Sequence, residues 1–203
     1  MARTGRPREF NRDNAVQKAL TLFWQHGYEP TSLSQLKEAM GGISPTSFYA
    51  AFGSKEELFK EVLSLYRSAE GRVTDVLHDE SLDPRQSIET CLRQSARMQT
   101  DSSHPPGCLI VVAATNCGPS NDNIVQALRK ERQKNHTAIA AQIRRAASTG
   151  DLPASTDLDA LTATFNSFLV GLSTAARDGA TAAELDGAVD QIMQIWGAPG
   201  HAS

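Results

Sequence analysis

The sequence predicts an all-α protein with a short three-helix N-terminal head containing a helix-turn-helix and a longer helical body. Two observations carry the prediction. Apolar residues recur three and four positions apart from Ala15 to Trp196, the period of one helix face. Between these runs the chain places Ser, Thr or Asp ahead of a helix and Gly or Pro behind it, the residues that start and stop helices. The run 108–114 is apolar throughout and too short for periodicity to separate helix from strand. An otherwise helical chain argues for helix.

The first helix is predicted over residues 11–26, with Ala15, Ala19, Leu20, Leu22 and Phe23 on its apolar face and Gly27 closing it. Thr31 and Ser32 offer hydroxyl caps to the second, where Leu33, Leu36 and Met40 share a side. Gly41-Gly42 stops that helix. Ser44 caps the third and Pro45 takes its first position, where the missing N–H costs nothing. Phe48 and Phe52 form one face of the third helix, while Thr46, Ser47, Tyr49 and Ala50 fall on others. Gly53 ends it, and Ser54-Lys55-Glu56-Glu57 reads as a capping box. A short helix that shows a polar face behind a tight turn is what a helix-turn-helix protein lays into a DNA major groove.

An amphipathic connector is expected over residues 55–79, carrying Leu58, Phe59, Val62, Leu65, Tyr66, Val73 and Val76. Further helices are expected over residues 85–100, over 108–117 if the apolar run continues, and from Ser120 or Asn121 to Thr149. Asp157 caps a helix with Leu158, Leu161, Phe165, Phe168, Leu169 and Leu172; Thr181 caps a last one with Leu185, Val189, Ile192, Met193 and Trp196. These two are too apolar for a monomer surface. They are expected to meet the same pair of a second copy in a four-helix bundle, with Leu172, Leu185, Ile192 and Trp196 at the interface of a homodimer.

The formal net charge of the 203 residues is −3, so the whole chain is not a general nucleic-acid binder. Its N-terminus differs. Arg3, Arg6, Arg8, Arg12 and Lys18 face only Glu9 and Asp13, and Gly-Arg-Pro at residues 5–7 suits a narrow minor groove. No apolar run reaches the ~20 residues of a membrane span, so no membrane partner is expected. The basic N-terminus lacks an apolar core of a secretory signal, and three widely spaced cysteines fit a reducing cytoplasm.

No hydrolase elbow, phosphate loop or His-Glu-x-x-His motif is present, and no enzyme activity is expected. His104, Cys108, Cys117 and His136 lack metal-ligand spacing, so neither metal nor cofactor is expected. On a continuous 108–117 helix the sulfurs of Cys108 and Cys117 would lie on opposite faces. Cys108 would then sit at a helix N-terminus, the better placed of the two for a thiol switch.

The run 27–59 resembles the DNA-binding half of TetR-family transcriptional repressors. The matching residues are Gly27-Tyr28, Thr31-Ser32-Leu33, Leu36, Ala39, Phe48-Tyr49, Phe52-Gly53-Ser54-Lys55-Glu56 and Leu58-Phe59. Pro106-Gly107-Cys108-Leu109, Gly150-Asp151-Leu152-Pro153 and Arg177-Asp178-Gly179 resemble the regulatory halves of the same family. Gly41-Gly42 makes the turn one residue longer than the family's usual single glycine. The resemblance implies a DNA-binding domain over residues 1–53 and a ligand-binding and dimerisation domain over 54–203. A dimer would then read a palindromic double-stranded operator until a small-molecule effector releases it. DNA contacts are expected from Arg3, Arg6 and Arg8, from Thr31, Ser32, Lys37, Tyr49 and Lys55, and from Ser44, Pro45, Thr46 and Ser47. The third helix has no Arg, Lys, Asn or Gln, hence no bidentate base reader. The effector is expected among Met98, Cys108, Val112, Asn116, Phe165 and Phe168, tilting the connector as it binds. The alternative is a thiol- or metal-responsive regulator sensing through Cys108 or Cys117.

Overall fold

The computed structural model describes residues 10–115 and 117–197, and these form helices and no strands. The head contains α1 (Arg12–His26), α2 (Leu33–Ala39) and α3 (Pro45–Phe52); α4 (Lys55–Ser68) leads out of it. The body contains α5 (Pro84–Thr100), α6 (Leu109–Val112), α7 (Asp122–Thr149), α8 (Leu158–Arg177) and α9 (Ala182–Ile192).

The caps form largely where the sequence puts them. Ser32 and Gln35 bond reciprocally, the Ser44 hydroxyl accepts from the Ser47 N–H, and Asp157 accepts from the Asp159 and Ala160 N–H groups. Thr181 and Glu184 complete a reciprocal cap at α9. Ser54 caps α4 through the Glu57 N–H at 3.0 Å, but the Glu57 carboxylate turns to Lys60, so only half of the predicted box exists. Gly41 and Gly42 have φ of +95° and +77°, and a Cβ on either would touch nothing. The turn therefore demands glycine for backbone conformation alone.

Three expectations need correction. The connector is α-helical only to Ser68 and continues as a 3₁₀ stretch, Glu70–His78. A Cβ on Gly71 would come within 2.9 Å of the Tyr66 ring, so the chain folds back tightly over that aromatic. The apolar run yields only four residues of α6, after which the chain turns. The single-helix geometry assumed for Cys108 and Cys117 therefore does not exist, and so short a helix lends Cys108 little dipole. Asn121 precedes α7 without capping it, because its side chain goes to Glu29.

Two apolar clusters hold the chain. One joins Phe23, Trp24, Leu36, Phe48, Phe59, Tyr66, Leu109 and Leu128, so α4, α6 and the start of α7 share a core with the head. The other joins Ile88, Leu92, Ile139, Ile143, Phe165, Leu172, Val189 and Met193 within the body.

Candidate nucleic-acid interface and effector cavity

The third helix is seated by its aromatics. Phe48 and Phe52 are 0% and 4% exposed with centroids 5.4 Å apart, and the Arg12 guanidinium lies over the Phe52 ring. That anchorage turns the opposite side of α3 outward. Ser44, Pro45, Thr46, Ser47, Tyr49 and Ala50 are all exposed, Tyr49 by half. The Ser44 and Ser47 hydroxyls lie 2.9 Å apart and serve the cap; those of Thr46 and Tyr49 bond to no described residue. Ser32 is exposed at the start of α2 and Lys37 is half-buried.

Burial corrects one expected DNA contact, Thr31, and a second, Lys55, is engaged within the chain. Thr31 is fully buried and its hydroxyl donates to the Gly27 carbonyl at 2.7 Å, tying α2 to the end of α1 instead of reaching out to phosphate. Lys55 folds back: its ammonium donates to the Glu29 carbonyl at 3.3 Å and lies 4.3 Å from the centre of the Tyr28 ring. Burial lowers its pKa. Arg3, Arg6 and Arg8 lie outside the described residues, as does Asn116.

The head is bonded to one corner of the body. The Trp24 indole N–H donates to the Gly107 carbonyl at 3.0 Å, just before α6, and the ring stacks on His104 at 4.3 Å. The Tyr28 N–H donates to the Ala113 carbonyl just after α6. Glu29 accepts from the Gly118 N–H and from Asn121, and those bonds lower its pKa. Arg177 of α8 donates to the Trp24 and Gln25 carbonyls at the end of α1. These links are illegible in sequence, since a buried Trp and a solvated Glu are ordinary residues.

Behind that corner lies a cavity with ≈ 30 Å³ open to the centre of a water-sized group. Met98 and Cys108 of the expected set line it. Val112, Phe165 and Phe168 need correction. Val112 faces a separate cleft beside His26 and Arg177. Phe165 is fully buried in the body core against Trp196, and Phe168 packs on the same cluster. The α8 face turned to the cavity carries Asn166, Leu169 and Val170 instead. Sequence reasoning missed Tyr66, Gln99, Arg132 and Asn135, which also line the cavity. Tyr66 reads as core and Arg132 as part of a charged, solvated run, so nothing singled them out.

Tyr66 donates its hydroxyl proton to the Cys108 sulfur at 3.3 Å. Burial, then the neighbouring Cys108, raise the tyrosine pKa well above its usual value, so it stays a proton donor. Cys91 is fully buried and its pKa is pushed up to about 12; burial also raises that of Cys117. Both are poor thiolates. Among the described residues no cluster of three or more His, Cys, Asp or Glu side chains could hold a metal.

The expected dimer residues divide. Leu172 and Leu185 are 3% and 5% exposed within one protomer, because they face its own core; they are not a free surface. Ile192 and Trp196 are half-buried against the same core. The outward faces of α8 and α9 carry small residues: Ala160, Thr164, Ser167, Gly171 and Thr174 on one, Ala183 and Gly187 on the other.

A buried aromatic anchor beneath an exposed, short third helix, joined to a cavity-bearing helical body, defines a helix-turn-helix transcriptional regulator. Residues 16–62 match the family described as bacterial regulatory proteins, tetR family, and residues 86–192 match the tetracyclin repressor-like C-terminal domain. The chain belongs to the TetR family. It is similar to the HTH-type transcriptional repressor ComR of Escherichia coli K12, with 32% identity over 198 residues, covering 95% of this chain and 91% of that one. Among solved structures, a cysteine mutant of the TetR-family regulator CifR, complexed with 26-bp operator DNA, superposes with a TM-score of 0.84. Identity there is 39%, covering 95% of this chain and 100% of that one. A putative TetR regulator from Rhodococcus sp. RHA1 has a TM-score of 0.60 and 33% identity, covering 90% of this chain and 97% of that one. No helix of the described residues is long and apolar enough to cross a membrane.

Proposed function

We propose that the chain is a dimeric repressor that reads a palindromic operator with α3 and is released by a small molecule entering the Cys108 cavity. The observation that carries this reading is the double attachment of α6. Its N-terminal side helps wall the cavity, while Gly107 and Ala113 at its two ends are bonded to the head. A ligand that reshapes the cavity must therefore bias the head, and in a dimer reading two half-sites one helical turn apart a small displacement is enough. The functional division at residues 53 and 54 belongs to this reading, with α4 and α6 as the shared wall. The exposed tip of α3 supplies contacts through Thr46, Tyr49 and the Ser44–Ser47 pair, supported by Ser32, Lys37 and the basic arm. Its test is a pair of surface substitutions, Thr46→Ala and Tyr49→Ala. Each should weaken binding to a selected duplex roughly tenfold while leaving thermal unfolding unchanged. Unchanged affinity in both would remove α3 as the reader.

The Tyr66–Cys108 bond favours a second reading, in which Cys108 is the chemical switch. An alkylating molecule would form an S–C bond as its leaving group departs with the electron pair, the thiol proton passing to water. Release of DNA by iodoacetamide should then vanish in Cys108→Ser; release that survives the substitution excludes Cys108. Nothing comparable favours metal sensing or Cys117.

A further inference from the structure

The cavity lining is chemically one-sided. Two arginines line it, Arg67 and Arg132, and no Asp or Glu does, although Glu70 acts electrostatically on the lining Tyr66. Arg67 is already paired with Glu131 and Asp75. Arg132 is not: among the described residues its one bond is to the Ile110 carbonyl at 2.8 Å, and no carboxylate lies within ion-pair distance. Half-buried cations without a partner are costly and uncommon.

Three carboxamides line the same cavity, Gln99 from α5, Asn135 from α7 and Asn166 from α8. None of the three side chains bonds to another described residue. Gln99 is 3% exposed, and its side-chain oxygen has no partner despite complete burial. A buried amide oxygen left without a partner is costly, and an incoming hydrogen-bond donor would satisfy it. The other walls are apolar: Val73, Met98, Ile110, Leu169 and Val170.

We infer that the cavity takes a compact amphipathic anion, a short-chain carboxylate in its simplest form, with the charged end on Arg132 and the apolar end against Met98, Leu169 and Val170. The inference rests on the proposed function for the location of the effector site and adds the ligand's chemistry. A carboxylate matches the planar fork of a guanidinium, and the remaining N–H groups of Arg132 are available for it. The carboxamides complete the shell: their N–H₂ groups donate to the anion's second oxygen, and the Gln99 oxygen accepts from a hydroxyl on substituted chains. A cationic ligand would meet Arg132 with no compensating carboxylate, so the site selects by sign of charge.

Arg132 also connects the site to the head. The residue it holds, Ile110, belongs to α6, whose flanks carry the Gly107 and Ala113 carbonyls that bond Trp24 and Tyr28. An anion that draws the guanidinium away from Ile110 loosens that corner.

The test is a matched series of acetate, butyrate and hexanoate against acetamide, butyramide and hexanamide, with the full-length protein in a buffer free of carboxylates. Binding is read by isothermal titration and by thermal shift. At least one carboxylate should bind no less than about tenfold more tightly than its amide, the usual scale for a charge-assisted pair. Arg132→Gln should erase that difference while retaining helical circular dichroism; Arg132→Lys should restore part of it. Equal binding of acid and amide, a preference untouched by Arg132→Gln, or no binding by any member would overturn the inference. Operator release is measured separately. Arg132-dependent binding without release would leave the ligand class standing and refute the effector reading, whereas DNA binding with no anion binding would do the reverse.

Discussion

Gly171 gives the sharpest test of how two chains meet. It lies in the middle of α8 on the exposed side, and a Cβ added there touches nothing within the protomer. In an isolated chain Gly171→Leu should therefore stabilise α8, by about 0.8 kcal/mol from helix propensity. If the small-residue faces of α8 and α9 pack closely on a second copy, the added side chain is overpacked instead. That costs about 1–3 kcal/mol per site. A two-fold interface contains the substitution twice, giving about 2–6 kcal/mol, or roughly 30-fold to beyond 10⁴-fold in the dimer dissociation constant. Sedimentation equilibrium measures the constant and circular dichroism checks that the helices persist. Leu172→Ala is the contrast. Being buried in its own protomer, it should lose about 2–5 kcal/mol of folding stability and show no specific loss of association. An unchanged dissociation constant in Gly171→Leu would refute the assignment of this face.

Phe48→Ala should remove the seat of α3 and cost about 3–5 kcal/mol in chemical denaturation, with DNA binding lost; a head that still binds normally would contradict the anchoring role. Deleting residues 2–8 should flatten the salt dependence of DNA affinity by ~0.9 in log–log slope for each lost phosphate contact, and an unchanged slope would dismiss the arm. Glu29 has a lowered pKa because Gly118 and Asn121 donate to it. Its contribution to the head–body link is therefore complete above the usual carboxylate range and fades as pH falls through the depressed value. Glu29→Gln should remove that acid-sensitive part of the stability curve, and identical acid transitions in both proteins would show that the bridge is idle.

The head was legible because its signals are local. Caps at Ser32, Ser44 and Ser54, the proline at position 45 and the phenylalanines four apart each act within one turn of helix, so sequence spacing fixes them. Tyr49 is outward for the same reason. Thr31 misled because a hydroxyl before a helix can cap it or bond backwards, and packing against the end of α1 chose the second. The body was legible as helices and illegible as a site. Phe165 and Phe168 share an apolar period with the residues that face the cavity, and the rotation of α8 that separates Phe165 from Asn166 depends on its neighbours. The same rotation decides that Leu172 points inward while Gly171 points out. Arg132 sits in a run of charges whose exposure differs residue by residue, so only the fold distinguishes it.

The central claim is that α3 of two chains reads DNA with two-fold symmetry. Selection from a random duplex library with the full-length protein, followed by titration of the enriched sequences, tests it most directly. Inverted repeats whose half-sites are centred about one helical turn apart should be enriched, bound with a salt-dependent affinity well above that for unselected duplex. Enrichment of single, asymmetric sites, or of no sequence at all, would contradict it.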